Sequence, residues 1–473
     1  MTWKDSRLDF LYSREENLLK RFALLGHPLG HSLSPLIHQH IFDILGIDAT
    51  YVLEDMEIED FPRKFPELLS SYSGLNITIP YKEKVQEHLA ALSQEALQFG
   101  AVNTIYNGKG YNTDIAGFLS ADFHYQNKTV LLLGSGGVAK TMLYAVCRLG
   151  AKQVLIRVRD KSKDEKLVHT CRKLYPQCAI TLLTETDLHA WDGEIHYILN
   201  GTPLGMWPAV GELPLEHRYY IERLEKSELE GVFDSIYNPL ATRFILLARS
   251  YGVPAVSGLP MLFHQALEAQ RIWHPELESR FRSPEVKQRL LETLENLPND
   301  LLDHFPLRIV LTGFMASGKS TVARKLAKTL GIPSMDLDQI IEERLGRSIT
   351  EIFSQHGEDY FRTMEREIFT DLLSQEGSYI LSTGGGCLLQ EGMEDLVRAH
   401  QGQIVYTKIS LETALMRAGN RASRPLLQQE PEALRRLYEM REVAYEALAD
   451  VSVSTEGRPR EAVEAILRAF GLE

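Results

Sequence analysis

The sequence predicts an α/β protein of several domains built on parallel sheets, and three observations predict it. Between Lys128 and Val158 a strand, a glycine turn, a helix and a second strand follow one another. A strand–helix–strand unit of about 30 residues demands a parallel sheet and a right-handed crossover. The same rhythm restarts at LRIVLTG (307–313) around a second glycine loop of different spacing, so unlike domains are joined and none is repeated. The 473 residues also exceed what one ordinary core organises, at about 100–200 residues per domain.

Composition narrows the function. Hydrophobic residues make up 44% and charged residues 24%, the mix of a globular and not a disordered chain. Lys+Arg 51 against Asp+Glu 64 leaves a net charge of −13. That charge disfavours general nucleic-acid or anionic-membrane binding, which needs a positive field. Cys147, Cys171, Cys178 and Cys387 form no CxxC pair and read as reduced thiols of a cytoplasmic protein. No apolar stretch is long enough to span a bilayer, and the first 20 residues have no apolar leader core. Small-molecule partners are expected, with neither nucleic acid nor membrane.

Taken in order, RFALLG (21–26) and TYVLED (50–55) read as short buried strands with a helical stretch between. TVLLL (129–133) is a strand, GSGGVAK a turn and TMLYAVCRLG a helix ending at Gly150. KQVLIRV follows as a strand taken to end at Arg159. The beat continues through IHYILNGTP, GVFDSIYNP and VPAVSG. A polar, helix-prone stretch runs from Pro275 to Asn299, and PNDLLDHFP closes it, the prolines bracketing an interdomain linker. LRIVLTG then begins a new domain, with a helix from Lys319, a strand end at IPSMDLD, a strand and turn at SYILSTGGG and a strand at QIVYTKI.

The segment from Gly313 through Ala316, Ser317, Gly318, Lys319 and Ser320 to Thr321 fits GxxxxGK[ST] between a strand and a helix. Glycines let consecutive N–H groups curl around a phosphate, and the helix N-terminus adds a favourable dipole. The lysine neutralises β/γ phosphates, and the Ser320 hydroxyl can ligate Mg²⁺. The segment Gly134, Gly136, Gly137, Val138, Ala139 is a shorter GxGGxA loop after a strand and before a helix, placed to hold a dinucleotide pyrophosphate. Glycine turns of that kind also serve plain strand–helix packing. Beyond the next strand Arg159 and Lys163 favour a ribose 2′-phosphate and hence NADP, while Asp160 between them favours a free hydroxyl and NAD.

The ordered segments GHPLGHSLSPLIHQ, NITIPYKE, AVNTIY, NTDIAGF, GSGGVAK, NGTPLGM, DSIYNP and GLPMLFHQ resemble shikimate dehydrogenase over about the first 270 residues. The resemblance implies a two-lobed dehydrogenase with a Rossmann NADP-binding lobe and an active site in the cleft between lobes. It implies Lys82 and Asp114 as the catalytic pair. Ser32, Ser34, Thr78, Asn103, Tyr237 and Gln265 would form the substrate pocket, and Gly258 would approach the nicotinamide. Where the family often has Asn-Arg-Thr after the second Rossmann strand, this chain has Val158, Arg159 and Asp160. The chemistry agrees: a lysine paired with a carboxylate can give the forming alkoxide its proton, and hydroxyls and amides suit a polyhydroxylated carboxylate.

Blander readings stand beside these. On spacing alone Lys82 could be a solvated residue at a helix start after Pro80, and Asp114 an N-cap. His27, His31, His38 and His40 lack an accompanying acid or cysteine at useful spacing, so loop and helix-surface roles are expected over a metal site.

The last 165 or so residues resemble shikimate kinase through the phosphate loop, Asp336-Leu-Asp338, GEDYFRTMERE, STGGG, SRPLL and YEMREVAY. The resemblance implies a P-loop domain of the nucleoside-monophosphate-kinase-like parallel α/β type. Asp336 would lie near Mg²⁺, and Asp338 on the substrate hydroxyls. Arg362, Gly384, Gly385, Gly386 and Arg441 would sit on the substrate carboxylate and ring. Arg424 would lie over ATP in a lid of about 420–430, and Arg417 would flank the adenine. By spacing alone, Arg362 and Glu365 are an i, i+3 surface ion pair and 383–386 a plain turn.

The domains expected are a substrate lobe at 20–120, a Rossmann lobe at 121–274, a linker at 275–306 and a kinase at 307–473. Together they imply NADPH reduction of 3-dehydroshikimate followed by MgATP phosphorylation of the shikimate 3-hydroxyl. Tethering raises local concentration without requiring a tunnel. Two alternatives stay open: an NAD-dependent quinate/shikimate dehydrogenase fused to a kinase, and a non-catalytic metabolite sensor. The sensor predicts broken catalytic positions, whereas Lys82, Asp114, Lys319, Ser320, Asp336 and Asp338 are all present.

Overall fold

Short apolar runs become strands wherever a sheet interior receives them, and their burial follows their place in the sheet. The computed structural model describes residues 20–30, 32–418 and 430–472. Two compact units are built: the chain up to Ser120 together with Leu262–Glu295, and Ala121–Met261 together with Asn296 onward.

The first unit holds a mixed sheet of β1 (Lys20–Gly26), β2 (Ala49–Asp55), β3 (Gly74–Ile77), β4 (Ala91–Leu92), β5 (Thr104–Tyr106) and β6 (Lys109–Tyr111), in the order β2-β1-β3-β5-β6-β4. β1 pairs in parallel with β2 and β3, so Phe22–Leu25 is covered on both sides and buried. β2 lies at the edge, and TYVLED is only partly buried, with Val52 and Leu53 37% exposed. Trp273, at the end of the helix Gly258–Trp273, donates its indole N–H to the Ile105 carbonyl at 3.1 Å. A Cβ on Gly74 would fall 2.4 Å from that indole nitrogen, so only glycine admits the packing.

The second unit carries two parallel sheets. One joins β7 (Thr129–Leu133), β8 (Gln153–Arg157), β9 (Ala179–Leu183), β10 (Tyr197–Asn200), β11 (Gly231–Asp234) and β12 (Ala255–Val256) in the order β12-β11-β10-β7-β8-β9. The strand order reverses between β7 and β10, which makes the carboxyl ends of those strands a switch point where ligands bind in open α/β sheets. The other joins β13 (Arg308–Thr312), β14 (Ser334–Asp336), β15 (Tyr379–Ser382), β16 (Gln403–Lys408) and β17 (Val451–Ser454) in the order β14-β15-β13-β16-β17.

Several expectations need correction. β8 ends at Arg157 and not Arg159: the Val158 N–H makes the last bond to β9, on the Leu183 carbonyl at 2.9 Å, and Arg159 and Asp160 beyond it are exposed. The helix after β7 spans Gly137–Arg148, so the second half of GSGGVAK is already helical. The helix-prone stretch 275–299 is divided into a 3₁₀ turn (Pro275–Leu277), a short helix (Glu278–Arg282) and the helix Pro284–Asp300, which includes Pro298. Pro298 falls in its last turn, where it forfeits the bond to the Leu294 carbonyl and the helix ends two residues later. The last of the three places where the chain passes between the two units lies within this same helix, at Glu295–Asn296. All four cysteines are free and buried. No helix among the described residues is long and apolar enough to cross a membrane.

Candidate active sites

Lys82 sits in the turn after Pro80, and its Nζ lies 2.7 Å from Asp114 Oδ2, with the two side chains 19% and 9% exposed. The solvated reading of Lys82 is therefore wrong. Asp114 is the first residue of the helix Asp114–Leu119 and Thr113 is its N-cap, so the carboxylate faces Lys82 and does not cap. Asn103 fixes the other oxygen, its Nδ2 donating to Asp114 Oδ1 at 2.7 Å and reaching Gln265 Oε1 at 3.4 Å. Asn103 is itself held: its Oδ1 accepts from the Thr113 N–H at 2.8 Å, and its carbonyl accepts from Asn76 Nδ2 at 3.1 Å. Tyr51 donates to Asn76 Oδ1 at 2.8 Å, extending the buried polar chain towards the helix Ser34–Leu45.

Ser32 Oγ accepts from the Ser34 N–H at 3.3 Å, and Ser34 is buried. Thr78 follows β3, its N–H on the Leu25 carbonyl at 2.9 Å. His38 is not on the helix surface as expected. It is fully buried, stacked on Tyr51 at 4.1 Å and 2.7 Å from Gln270, and burial lowers its titration to about 3, so the ring stays neutral. His27 bonds Asp55 at 2.6 Å, and that bond raises its pKa. His31 lies outside the described residues. Among the described residues no group of three or more acids, histidines or cysteines is placed to hold a metal.

In the second unit the glycine loop follows β7 at the switch point. Gly134 has φ 91°, and a Cβ there would meet Thr202 Cγ2 at 2.9 Å, so the turn requires glycine. Gly201, after β10, leaves no room for a Cβ beside Ala139, at 2.7 Å from the Ala139 Cβ. Gly136 caps the helix with no side-chain bond, and neither Gly136 nor Gly137 would place a Cβ within 4 Å of anything. The helix N-terminus is thus left open for a phosphate to approach its backbone, with Val138 half-buried beside it. Arg159 is exposed, and Asp160 is used locally: its Oδ1 accepts from the Ser162 N–H at 3.0 Å and Oγ at 2.7 Å, which lowers its pKa. Lys163 stands 3.9 Å from Asp160. Tyr237 follows β11 half-buried, and burial raises its pKa. Gly258 lies so close to Ser235 that a Cβ would be 2.1 Å from that carbonyl oxygen.

The loop after β13 is curled by Gly313 (φ 145°), Ala316 (φ 60°) and Gly318 (φ 86°). A left-handed alanine is strained by about 1–2 kcal/mol, which the surrounding bonds must hold. Ser317, buried, meets Thr407 Oγ1 at 2.8 Å. Lys319 opens the helix Lys319–Leu330 and folds back onto the Gly313 and Phe314 carbonyls at 2.9 and 3.0 Å. Ser320 Oγ lies 3.3 Å from Ser382 Oγ, and Thr321 is half-buried. Asp336 ends β14 and caps the helix Leu337–Leu345 through the Gln339 N–H at 3.3 Å.

The turn Gly384–Gly386 gathers the remaining charges. A Cβ on Gly384 would be 2.9 Å from Asp338 Oδ1, and one on Gly386 would be 3.3 Å from Arg362 Nη2 and 3.5 Å from Arg441 Nη2. A Cβ on Gly385 would sit 3.3 Å from the Gly313 carbonyl, which ties this turn to the phosphate loop. Burial, then the neighbouring Asp336 carboxylate, pushes the Asp338 carboxyl up to about 6, against the opposing pull of Lys319. The Arg362–Glu365 pair, at 2.7 Å, is no surface pair, because Glu365 is 1% exposed and also accepts from Gln390 at 2.7 Å. Arg417 donates to the Thr455 and Glu456 carbonyls, each at 2.7 Å. Arg424 lies outside the described residues, as does the lid segment 420–429.

Asn76, Thr113, Glu365, Gln390 and Tyr445, which donates to the Gly385 carbonyl, were not singled out as site residues from sequence. Asn76, Thr113, Glu365 and Tyr445 each lie within a segment that carries the resemblance, whereas Gln390 lies in none of them.

Residues 24–105 match the family model for the shikimate dehydrogenase substrate binding domain, and residues 315–470 match that for shikimate kinase. The shikimate dehydrogenase (NADP(+)) of Caldanaerobacter subterraneus subsp. tengcongensis is 34% identical over 271 residues, covering 55% of this chain and 94% of that protein. That of Clostridium perfringens strain 13 is 33% identical over 282 residues, covering 58% and 98%. Among solved structures, shikimate dehydrogenase 1 from Peptoclostridium difficile matches with TM-score 0.50 and 31% identity, over 61% of this chain and all (100%) of that one. Shikimate 5-dehydrogenase from Listeria monocytogenes, solved with shikimate and NAD, matches with TM-score 0.51 and 26% identity, over 59% and 98%. With an ammonium–carboxylate pair in one unit and an arginine-rimmed phosphate loop in the other, the chain belongs to the shikimate dehydrogenase family, carries a shikimate kinase domain after it, and is an enzyme of both kinds.

Proposed function

We propose that the protein reduces 3-dehydroshikimate to shikimate with NADPH and then phosphorylates the new 3-hydroxyl with MgATP. The observation that carries the first half is the Lys82–Asp114 contact of 2.7 Å. Asp114 holds the ammonium in place, Asn103 fixes the carboxylate, and Lys82 gives its proton to the alkoxide forming at C3. Ser32, Ser34, Thr78, Asn103, Tyr237 and Gln265 bind the ring hydroxyls and carboxylate. A site built from such donors rejects analogues that leave them unpaired.

When bound, NADPH supplies the hydride. Gly134, Gly136, Gly137, Val138 and Ala139 would hold its pyrophosphate, Arg159 and Lys163 its 2′-phosphate, and Gly258 would lie beside the nicotinamide. The bare approach to the Gly136 and Gly137 backbone fits that role.

In the kinase half, Asp338 aligns the 3-hydroxyl and accepts its proton, a role suited to a carboxyl poised near 6. Arg362 and Arg441, with Gly384, Gly385 and Gly386, hold the substrate carboxylate and ring. ATP supplies the phosphoryl group. Gly313, Ala316, Ser317, Gly318, Lys319, Ser320 and Thr321 would cradle its phosphates and Arg417 would flank the adenine, with the role over the phosphates that the resemblance gives Arg424. Ser320 and Asp336 offer the oxygens Mg²⁺ takes. The domains run 20–120, 121–274, 275–306 and 307–473.

A two-stage assay tests the proposal. The purified chain receives 3-dehydroshikimate and NADPH, and MgATP is added after NADPH absorbance has fallen. Loss of absorbance followed by shikimate 3-phosphate in the mass spectrum is expected, with Lys82→Ala abolishing the first and Lys319→Ala the second. Bound shikimate with neither reaction would make the protein a sensor instead. NAD in place of NADP is favoured by one observation, the NAD complex of the Listeria relative. Faster oxidation of NADH than of NADPH would establish it.

A further inference from the structure

The segment 235–243 leads from β11 to the helix Arg243–Ser250 and carries Tyr237. Its inner side is tied within the dinucleotide half. Asp234 Oδ1 accepts from the Ile236 N–H at 3.1 Å, and Asp234 Oδ2 accepts from Thr242 Oγ1 at 2.6 Å. The Trp207 N–H reaches the Asn238 carbonyl at 3.0 Å. Three further ties come from the chain beyond residue 296. The rings of Tyr237 and Phe305 stand 6.5 Å apart, centroid to centroid. Gln403 Nε2, at the start of β16, donates to the buried Ala241 carbonyl at 2.7 Å. Arg243 Nε forms an ion pair with Asp450 Oδ1 at 3.2 Å, and Asp450 is fully buried with its Oδ2 on the Ile404 N–H at 2.7 Å.

These ties are not those of a kinase tethered loosely after a dehydrogenase. Among the described residues the buried Ala241 carbonyl finds its side-chain donor in Gln403 of the kinase half, and removing that donor leaves the carbonyl desolvated and unpaired. The Arg243 guanidinium is held by the kinase-half acids Asp450 and Glu394. We infer that the kinase half, with the end of the linker that leads into it, braces the segment bearing Tyr237, with Phe305 of the linker and Gln403 and Asp450 of the kinase as positioning residues for the dehydrogenase reaction. The inference rests on the reading of Tyr237 as a substrate contact. It makes part of the kinase sheet a component of dehydrogenase specificity, so the two activities are structurally coupled even where no intermediate passes between them.

The test uses the full chain and shikimate oxidation with NADP⁺. Gln403→Met keeps the length and apolar bulk of the side chain but removes the donor to Ala241. The expected result is a rise of about three- to tenfold in KM for shikimate, with KM for NADP⁺ within about twofold. In a Tyr237→Ala background the same substitution should add nothing, because the residue it positions is gone. An unchanged KM, or an equal rise in both backgrounds, overturns the brace. If Tyr237→Ala alone leaves KM for shikimate unchanged, the substrate role of Tyr237 fails, and amide hydrogen exchange across 235–243 then decides the brace. Faster exchange there in both Gln403→Met and Asp450→Asn than in the unsubstituted protein supports it, and unchanged exchange overturns it.

Discussion

The two glycine loops sit at equivalent places, each after a central strand of a parallel sheet and before a helix, yet they are built in opposite ways. The loop at Gly134–Ala139 offers bare backbone: Gly136 and Gly137 face open space, and no lysine lies among these residues. The loop at Gly313–Ser320 holds a lysine folded onto its own carbonyls, a left-handed alanine, and a buried serine bonded to the next strand. A pyrophosphate that is only held needs N–H groups and a dipole. A phosphoryl group that is transferred needs mobile positive charge as well.

The largest effect should come from removing that charge. Lys319→Ala is expected to lower the kinase rate by about 10³-fold or more, with dehydrogenase activity kept within about twofold. A comparable fall in both activities would mean that the loop difference does not separate the two chemistries.

Asp338→Asn should lower kinase turnover by about 10²-fold or more. In the unsubstituted enzyme the kinase rate should fall as pH drops through about 6, where the base takes up its proton. The sign for stability is opposite. The folded carboxyl titrates above an ordinary aspartate, so the native state keeps its proton longer, and stability falls as pH rises between about 4 and 6. The asparagine variant should therefore melt a few degrees higher at pH 7, roughly, with the gain gone below about pH 4. Calorimetry across pH checks this, and an unchanged melting temperature at pH 7 would mean the carboxyl is not strained by its burial.

The first loop makes a finer prediction. Gly136 has φ −68° and space around it, so Gly136→Ala should leave the melting temperature unchanged and raise KM for NADPH about tenfold or more. Gly134→Ala meets Thr202 and a forced left-handed φ, and should lower the melting temperature instead. If the first substitution leaves NADPH binding intact, the open glycines are packing features and not a pyrophosphate seat.

How much of this was legible follows the same divide. Both loops stand in local motifs whose chemistry depends on adjacent residues, whereas Lys82, Asp114, Asp336 and Asp338 draw their roles from the resemblance, spacing alone leaving Lys82 a helix-start residue and Asp114 an N-cap. A strand as short as β4, of two residues, carries no periodicity to detect. Glu365 looked like a surface partner because i, i+3 spacing says nothing of which face is buried, and only tertiary packing puts it at 1% exposure. The burial of His38 on its helix is hidden from the sequence for the same reason. The Gln403–Ala241 bond spans 162 residues, and no pattern within a segment reports a contact of that range.

The smallest expected effect concerns Asp160, which blurs the cofactor choice in the sequence. A carboxylate that recognised a ribose hydroxyl would have to be available to it, whereas Asp160 Oδ1 accepts twice from Ser162 and opens the short 3₁₀ turn Lys161–Lys163. Arg159, exposed beside it, has no such local use. Asp160→Ala should therefore change the NADPH-to-NADH preference by less than about threefold, while Arg159→Ala reduces it about tenfold. Steady-state KM values for both cofactors measure the two ratios. A sharp gain in NADPH preference from Asp160→Ala would show that the carboxylate faces the ribose after all. The cap on the 161–163 turn would then be incidental to a residue that tunes the first loop's cofactor.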